Sequence, residues 1–91
     1  MKTRAILSVL GEDRVGIVAG VSRVLADAGT NIEDIRQTIL SGVFSMTMLV
    51  TVDEDRTPFE TVQAGLDQAG GELGVQITLQ REDLFRYMHR V

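Results

Sequence analysis

The sequence predicts an α+β fold of the ferredoxin-like kind: a four-stranded antiparallel sheet, two helices on one face, and a short C-terminal helix. Three observations predict it. The hydrophobic period changes along the chain in the order β-α-β-β-α-β. Ser41-Gly42 separates two strand-like runs by the two residues of a tight hairpin. Ninety-one residues with a single proline and no low-complexity segment make one small domain without a linker.

Thr3 to Leu10 is short, apolar and partly β-branched, which reads as a first strand ending at Gly11. From Ile17 the period lengthens: Ile17, Val18, Val21, Val24, Leu25 and Ala28 share one helix face, and Gly29 stops the helix as a C′ glycine. Asn31 to Leu40 is a second strand with Ile32, Ile35 and Ile39 as apolar anchors. Their spacing of three places a bulge early in it. Val43 to Val52 is the cleanest strand, with Phe44, Met46, Met48, Val50 and Val52 on one side. After the polar loop Asp53-Glu54-Asp55-Arg56, Thr57 reads as an N-cap, Pro58 as the first helical residue and Glu60 as the return half of a capping box. Phe59, Val62, Leu66, Ala69 and Leu73 form that helix's stripe, interrupted by Gly70-Gly71. Val75, Ile77 and Leu79 alternate with polar residues in a fourth strand. Residues 1–80 thus form the domain. Residues 81–91 form an amphipathic helical extension with Leu84, Phe85 and Met88 on one side.

Composition removes several classes of function. At 44% hydrophobic and 24% charged the chain is globular. A net charge of −4 argues against nucleic acid, whose phosphates require a basic face, and the strands carry no exposed aromatic platform. No cysteine is present, so disulfides, thiolate nucleophiles and thiolate metal sites are excluded. No apolar run spans a bilayer and no signal peptide is apparent. The expectation is a cytoplasmic protein with no membrane partner and no cofactor.

The stretch Gly11-Glu12-Asp13-Arg14-Val15-Gly16-Ile17-Val18 between strand and helix, followed by Gly29-Thr30-Asn31-Ile32 opening the second strand, resembles the ACT domain. The likeness covers residues 3 to about 80, and the pairing of "D-x-x-G-I-V" with "G-x-N-I" is more specific than either alone. It extends to stand-alone bacterial ACT proteins related to the glycine cleavage repressor. The resemblance implies a non-enzymatic regulatory module. It would bind a small ligand, commonly an amino acid, and pair side by side as a homodimer with an eight-stranded sheet. It also implies a partner protein that receives the signal. Carried over by position, the ligand would meet Gly11, Asp13, Gly16, Ile17, Val18, Asn31 and Ile32. Those residues lie where the loop before the first helix approaches the second strand, often a neighbouring subunit's. The Arg14-Val15 pair departs from the proline-containing turns of many ACT domains, and the C-terminal helix lies outside the common pattern.

Physical chemistry leaves each of these residues two readings. A helix N-terminus offers unpaired N–H groups to a carboxylate, and Asp13 is placed to meet an ammonium. Asp13 equally serves as a solvated turn residue, Gly16 as a site of close helix packing, and Asn31 as an ordinary turn residue. Asp53, Glu54 and Asp55 lack the glycine and distal glutamate of a calcium loop and read as a solvated turn. Met46 and Met48 read as core rather than as copper ligands. His89 has no nucleophile paired with it. Arg36 reads as an interface or surface salt bridge. Acylphosphatase chemistry, hosted by the same topology, requires an arginine-bearing phosphate cradle where this chain has Glu12-Asp13. An interaction module with no small ligand, docking through the tail, is the alternative to the amino-acid sensor.

Overall fold

The computed structural model describes residues 1–87 in full and Met88 by its backbone; the Met88 side chain and His89 fall outside the described residues. Its elements are β1 (Lys2–Glu12), α1 (Ile17–Asp27), β2 (Asn31–Leu40), β3 (Val43–Asp53), α2 (Phe59–Leu73), β4 (Val75–Arg81) and α3 (Glu82–Met88). The sheet is antiparallel in the order β2-β3-β1-β4, the expected ferredoxin-like arrangement. α1 and α2 lie on one face. Beneath them Ala5, Leu7 and Val9 of β1, the even-numbered residues Phe44 to Val52 of β3, and Val75, Ile77 and Leu79 of β4 are buried. The opposite face is free of α1 and α2, and α3 packs against β1 and β4, with its Glu82 reaching Arg4 at 3.2 Å.

Local signals set the turns as expected. Ser41 and Gly42 both have positive φ, 51° and 78°, the handedness that a two-residue hairpin requires. Gly29, at φ 71°, ends α1 in a Schellman motif: its N–H donates to Ala26 O at 3.0 Å and that of Thr30 to Leu25 O at 2.8 Å. The bulge in β2 falls between Ile32 and Asp34, so Ile32 and Ile35 stay on one side of the sheet.

Four expectations are corrected by packing. β1 does not end at Gly11 but runs on to Glu12. Gly11 sits between Phe44 and Val75, where a Cβ would lie 2.8 Å from Val75 Cγ1. The buried face of α1 is narrower than its period, with Ile17, Val21 and Leu25 covered but Val18 37% exposed, because the sheet beneath touches only the central stripe. Ile32, Ile35 and Ile39 anchor nothing in this chain. Every residue of β2 is exposed because this edge strand lies at the margin of the helical layer, where α1 meets it only slightly. In the tail, Leu84 is half exposed and Phe85 is partly covered.

The capping box at Thr57 also fails to form. α2 begins at Phe59 with Pro58 in the capping position and no side-chain cap. Thr57 Oγ1 instead donates to Ala28 O at 3.0 Å, tying the start of α2 to the end of α1. Thr57→Asp discriminates the two roles, since aspartate caps helices well but cannot donate. Loss of about 1 kcal/mol in urea denaturation is expected, where a capping role would give no loss. Gly70-Gly71 does not break α2 either. A Cβ at Gly70 would lie 2.8 Å from Val75 O, so the missing side chain lets β4 approach the helix.

Candidate functional site

The loop from Asp13 to Gly16 is held at three points. Asp13 N–H donates to Gly42 O at 2.9 Å, which fastens the loop to the β2–β3 turn. Arg14 lies over the C-terminal end of α2, its Cζ 3.2 Å from where a Gly74 Cβ would be, where the negative end of the helix dipole favours a cation. Gly16 takes φ 91° and ψ 2°, and its carbonyl accepts from Gly20 N–H at 2.8 Å to start α1. A Cβ on Gly16 would meet nothing within 4 Å, so the close-packing role fails there and belongs to Gly11. What Gly16 supplies is left-handed backbone beside open space. α1 carries no side-chain cap and no acidic residue in its first turn, leaving its N–H groups available to an anion. Asp13 and Val15 are exposed around it, Ile17 is buried beneath, and Val18 lies partly open.

Asn31 and Ile32 stand at the other end of the sheet. Asn31 pairs with Thr51, and Thr51 with Arg4 near the start of β1, whereas Gly11 and Phe44 mark the loop end. The eleven residues of α1 separate Gly16 from Asn31 by about 16 Å. Within one chain, therefore, Gly11, Asp13, Gly16, Ile17 and Val18 come together, and Asn31 and Ile32 do not join them.

Asn31 belongs to a cluster on the face free of α1 and α2 that single-residue reasoning missed. The bulge leaves Glu33 beside it, and Glu33 Oε2 accepts from Asn31 Nδ2 at 2.7 Å and from Thr51 Oγ1 at 3.0 Å. Because a carboxylate only accepts, the Asn31 amide points its nitrogen at Glu33 and turns Oδ1 away. The Asn31 and Thr51 hydrogen bonds hold the Glu33 carboxyl below its usual range, with Arg4 and Lys2 adding a smaller pull. A depressed pKa stabilises the fold above the unfolded carboxylate value, and that contribution disappears as pH falls through the folded one. Asn31→Ala is expected to raise the Glu33 titration midpoint, followed by NMR of its side-chain carboxyl. An unchanged midpoint would show that Asn31 does not hold it. The early bulge was legible in the isoleucine spacing. Its consequence for Glu33 depended on Thr51 across the ladder.

The other candidates have structural partners. Glu54 accepts from Thr3 Oγ1 and pairs with Arg81 at 3.3 Å, while Asp55 pairs with the N-terminal ammonium. Among the described residues no group of three His, Cys, Asp or Glu is placed to hold a metal, and Arg36 makes no ion pair. Met46 and Met48 are core. No helix among the described residues is long and apolar enough to cross a membrane.

Comparison with known proteins agrees with this fold. A family model described as the ACT domain matches residues 3–80. A UPF0237 protein of Methanocaldococcus jannaschii is 51% identical over 89 residues, covering 98% of this chain and 99% of its own. The structure of an ACT domain protein from Streptococcus pneumoniae aligns with a TM-score of 0.79 at 40% identity, covering 91% of this chain and 93% of that one. A candidate glycine cleavage system transcriptional repressor aligns at 0.80 with 25% identity, over 89% of this chain and 46% of that one. The relatives include an archaeon as well as a bacterium, a wider group than the bacterial one expected. The chain belongs to the ACT domain family.

Proposed function

We infer that the protein is a non-enzymatic regulatory module that binds a free amino acid at the interface of a homodimer and signals to a partner protein. The observation that carries this reading is the uncapped start of α1 beside Gly16, whose positive φ opens space at the helix N-terminus. The ligand carboxylate would sit on the Ile17 and Val18 amides and its ammonium on Asp13. β2 supplies the interface. It is a ten-residue edge strand without lysine or proline, with Ile32, Ile35 and Ile39 exposed in a row. Antiparallel pairing of two copies about the middle of β2 would set Asn31 beside the partner's Leu40. That is the sheet end where the Asp13–Gly16 loop meets the β2–β3 turn. A ligand bridging both copies would then favour one arrangement over others, which is the signal.

A thermal-stability panel of the twenty amino acids at millimolar concentration tests it. At a hundred times its dissociation constant a ligand adds about 2.7 kcal/mol, a shift of several degrees for a domain this size. One or two clear shifts, abolished by Gly16→Val, are expected. A flat panel overturns the sensor and favours the second reading, a ligand-free interaction module docking through α3, where Leu84 and Tyr87 are exposed. Removal of residues 82–91 without effect on oligomer size would count against that second reading.

A further inference from the structure

The sheet face opposite α1 and α2 holds a hollow of about 430 Å³ lined by Arg4, Glu33, Leu49 and Thr51. A smaller hollow of about 140 Å³ shares Leu49 and adds Ile6 and Thr47 among its walls. Strand register fixes the layout. Arg4 stands opposite Thr51 and Thr51 opposite Asn31, while Ile6 stands opposite Leu49. With strands about 4.8 Å apart, Arg4 and the Asn31–Glu33 bulge flank Thr51 at a backbone separation of about 10 Å. Arg4 pairs with Glu82 rather than with Glu33, so the two opposite charges face each other across the hollow without closing it.

A cation and an anion held apart over a hydroxyl, with an apolar floor beside them, are complementary to a zwitterion. We propose that this hollow binds a free aliphatic α-amino acid, with its carboxylate on Arg4, its ammonium on Glu33 and its side chain over Leu49 and Ile6. Glu33 is pre-oriented for this by Asn31 and Thr51, which also keep it ionised. Glu82 engages Nη2 of Arg4, and a guanidinium carries five donors in a fork suited to a second carboxylate. The site is open to solvent, so the expected dissociation constant is on the order of millimolar. It is distinct from the α1 N-terminus, does not rest on that reading, and stays uncovered when two sheets join edge to edge.

The test is a titration of the ¹⁵N-labelled full chain with L-leucine, read by amide NMR shifts. Saturable shifts are expected at Arg4, Ile6, Glu33, Leu49 and Thr51, with L-leucine several-fold tighter than glycine. N-acetyl-L-leucine lacks the ammonium and L-leucine methyl ester lacks the carboxylate. Each should bind about tenfold more weakly, as should L-leucine to Glu33→Gln and to Arg4→Gln. Both positions are exposed, so the variants keep the fold, which their dispersed spectra verify. Gly16→Val should leave this titration unchanged. The proposal is overturned if these amides do not shift, or if their shifts survive both charge variants. Shifts confined to residues 13–18 and removed by Gly16→Val would overturn it while supporting the site at α1, so the two readings fail separately.

Discussion

Phe59→Ala is expected to destabilise the protein by about 3–5 kcal/mol, the range for deleting a buried aromatic ring. Phe59 is 2% exposed at the first turn of α2, and its loss leaves a cavity between that helix and the sheet. The ring also supports a surface arrangement. Arg81 Cζ lies 4.1 Å from the ring centroid, and the same guanidinium pairs with Glu54, which accepts from Thr3 on β1. The variant therefore loses packing and removes the face on which Arg81 rests. At about 4–8 °C per kcal/mol for a domain of this size, the melting point should fall by roughly 12–40 °C. Urea denaturation checks it through the midpoint at unchanged slope. A loss below about 1 kcal/mol would mean that Phe59 is not a core residue. Phe59→Leu, which keeps most of the burial, should cost only about 1–2 kcal/mol.

On the proposed pairing of two copies through β2, Ile35→Lys is expected to yield a monomer with little change in the fold of each chain. Ile35 lies at the middle of β2, 41% exposed, on the side of the sheet that carries the helices. In a sheet extended through two antiparallel β2 strands, both copies of Ile35 approach the twofold axis. One substitution then removes two apolar contacts and places two like charges together. Burial of an isoleucine contributes about 1.5–3 kcal/mol. Association should therefore weaken by at least about 3 kcal/mol, roughly a hundredfold. Sedimentation equilibrium at micromolar concentration reads this directly. If wild type and variant sediment alike, β2 is not the interface. Because β2 contributes nothing to the buried core, Ile35→Lys should leave the monomer's own melting transition nearly intact.

Local features of the fold were legible because their causes are local. The alternation in Val43 to Val52 is the pleat itself, and all five residues assigned to the inner face are buried. The Ser41-Gly42 turn and the Gly29 stop depend on backbone handedness that few residues accept, so their sequence signals are direct. The Thr57 capping box illustrates the opposite case. Its sequence pattern is correct, but a hydroxyl bonds to whichever acceptor the fold presents, and Ala28 O from another helix is that acceptor. Leu84 failed for a similar reason, since an amphipathic pattern names an apolar side without saying whether anything covers it.

The candidate site divides along the same line. The sequence alone determined the element order, the bulge in β2, and the glycine that opens the start of α1, because period and backbone preference act within a few residues. Strand order decided the rest. Placing β2 at the edge left its isoleucines bare and set Asn31 a helix length away from Gly16. Placing β1 between β3 and β4 made Gly11 a packing residue rather than a loop end. Bringing β1, β3 and β2 side by side aligned Arg4, Thr51 and Glu33 across three strands. Residues so far apart in sequence meet only through hydrogen-bonded register, which no local period encodes.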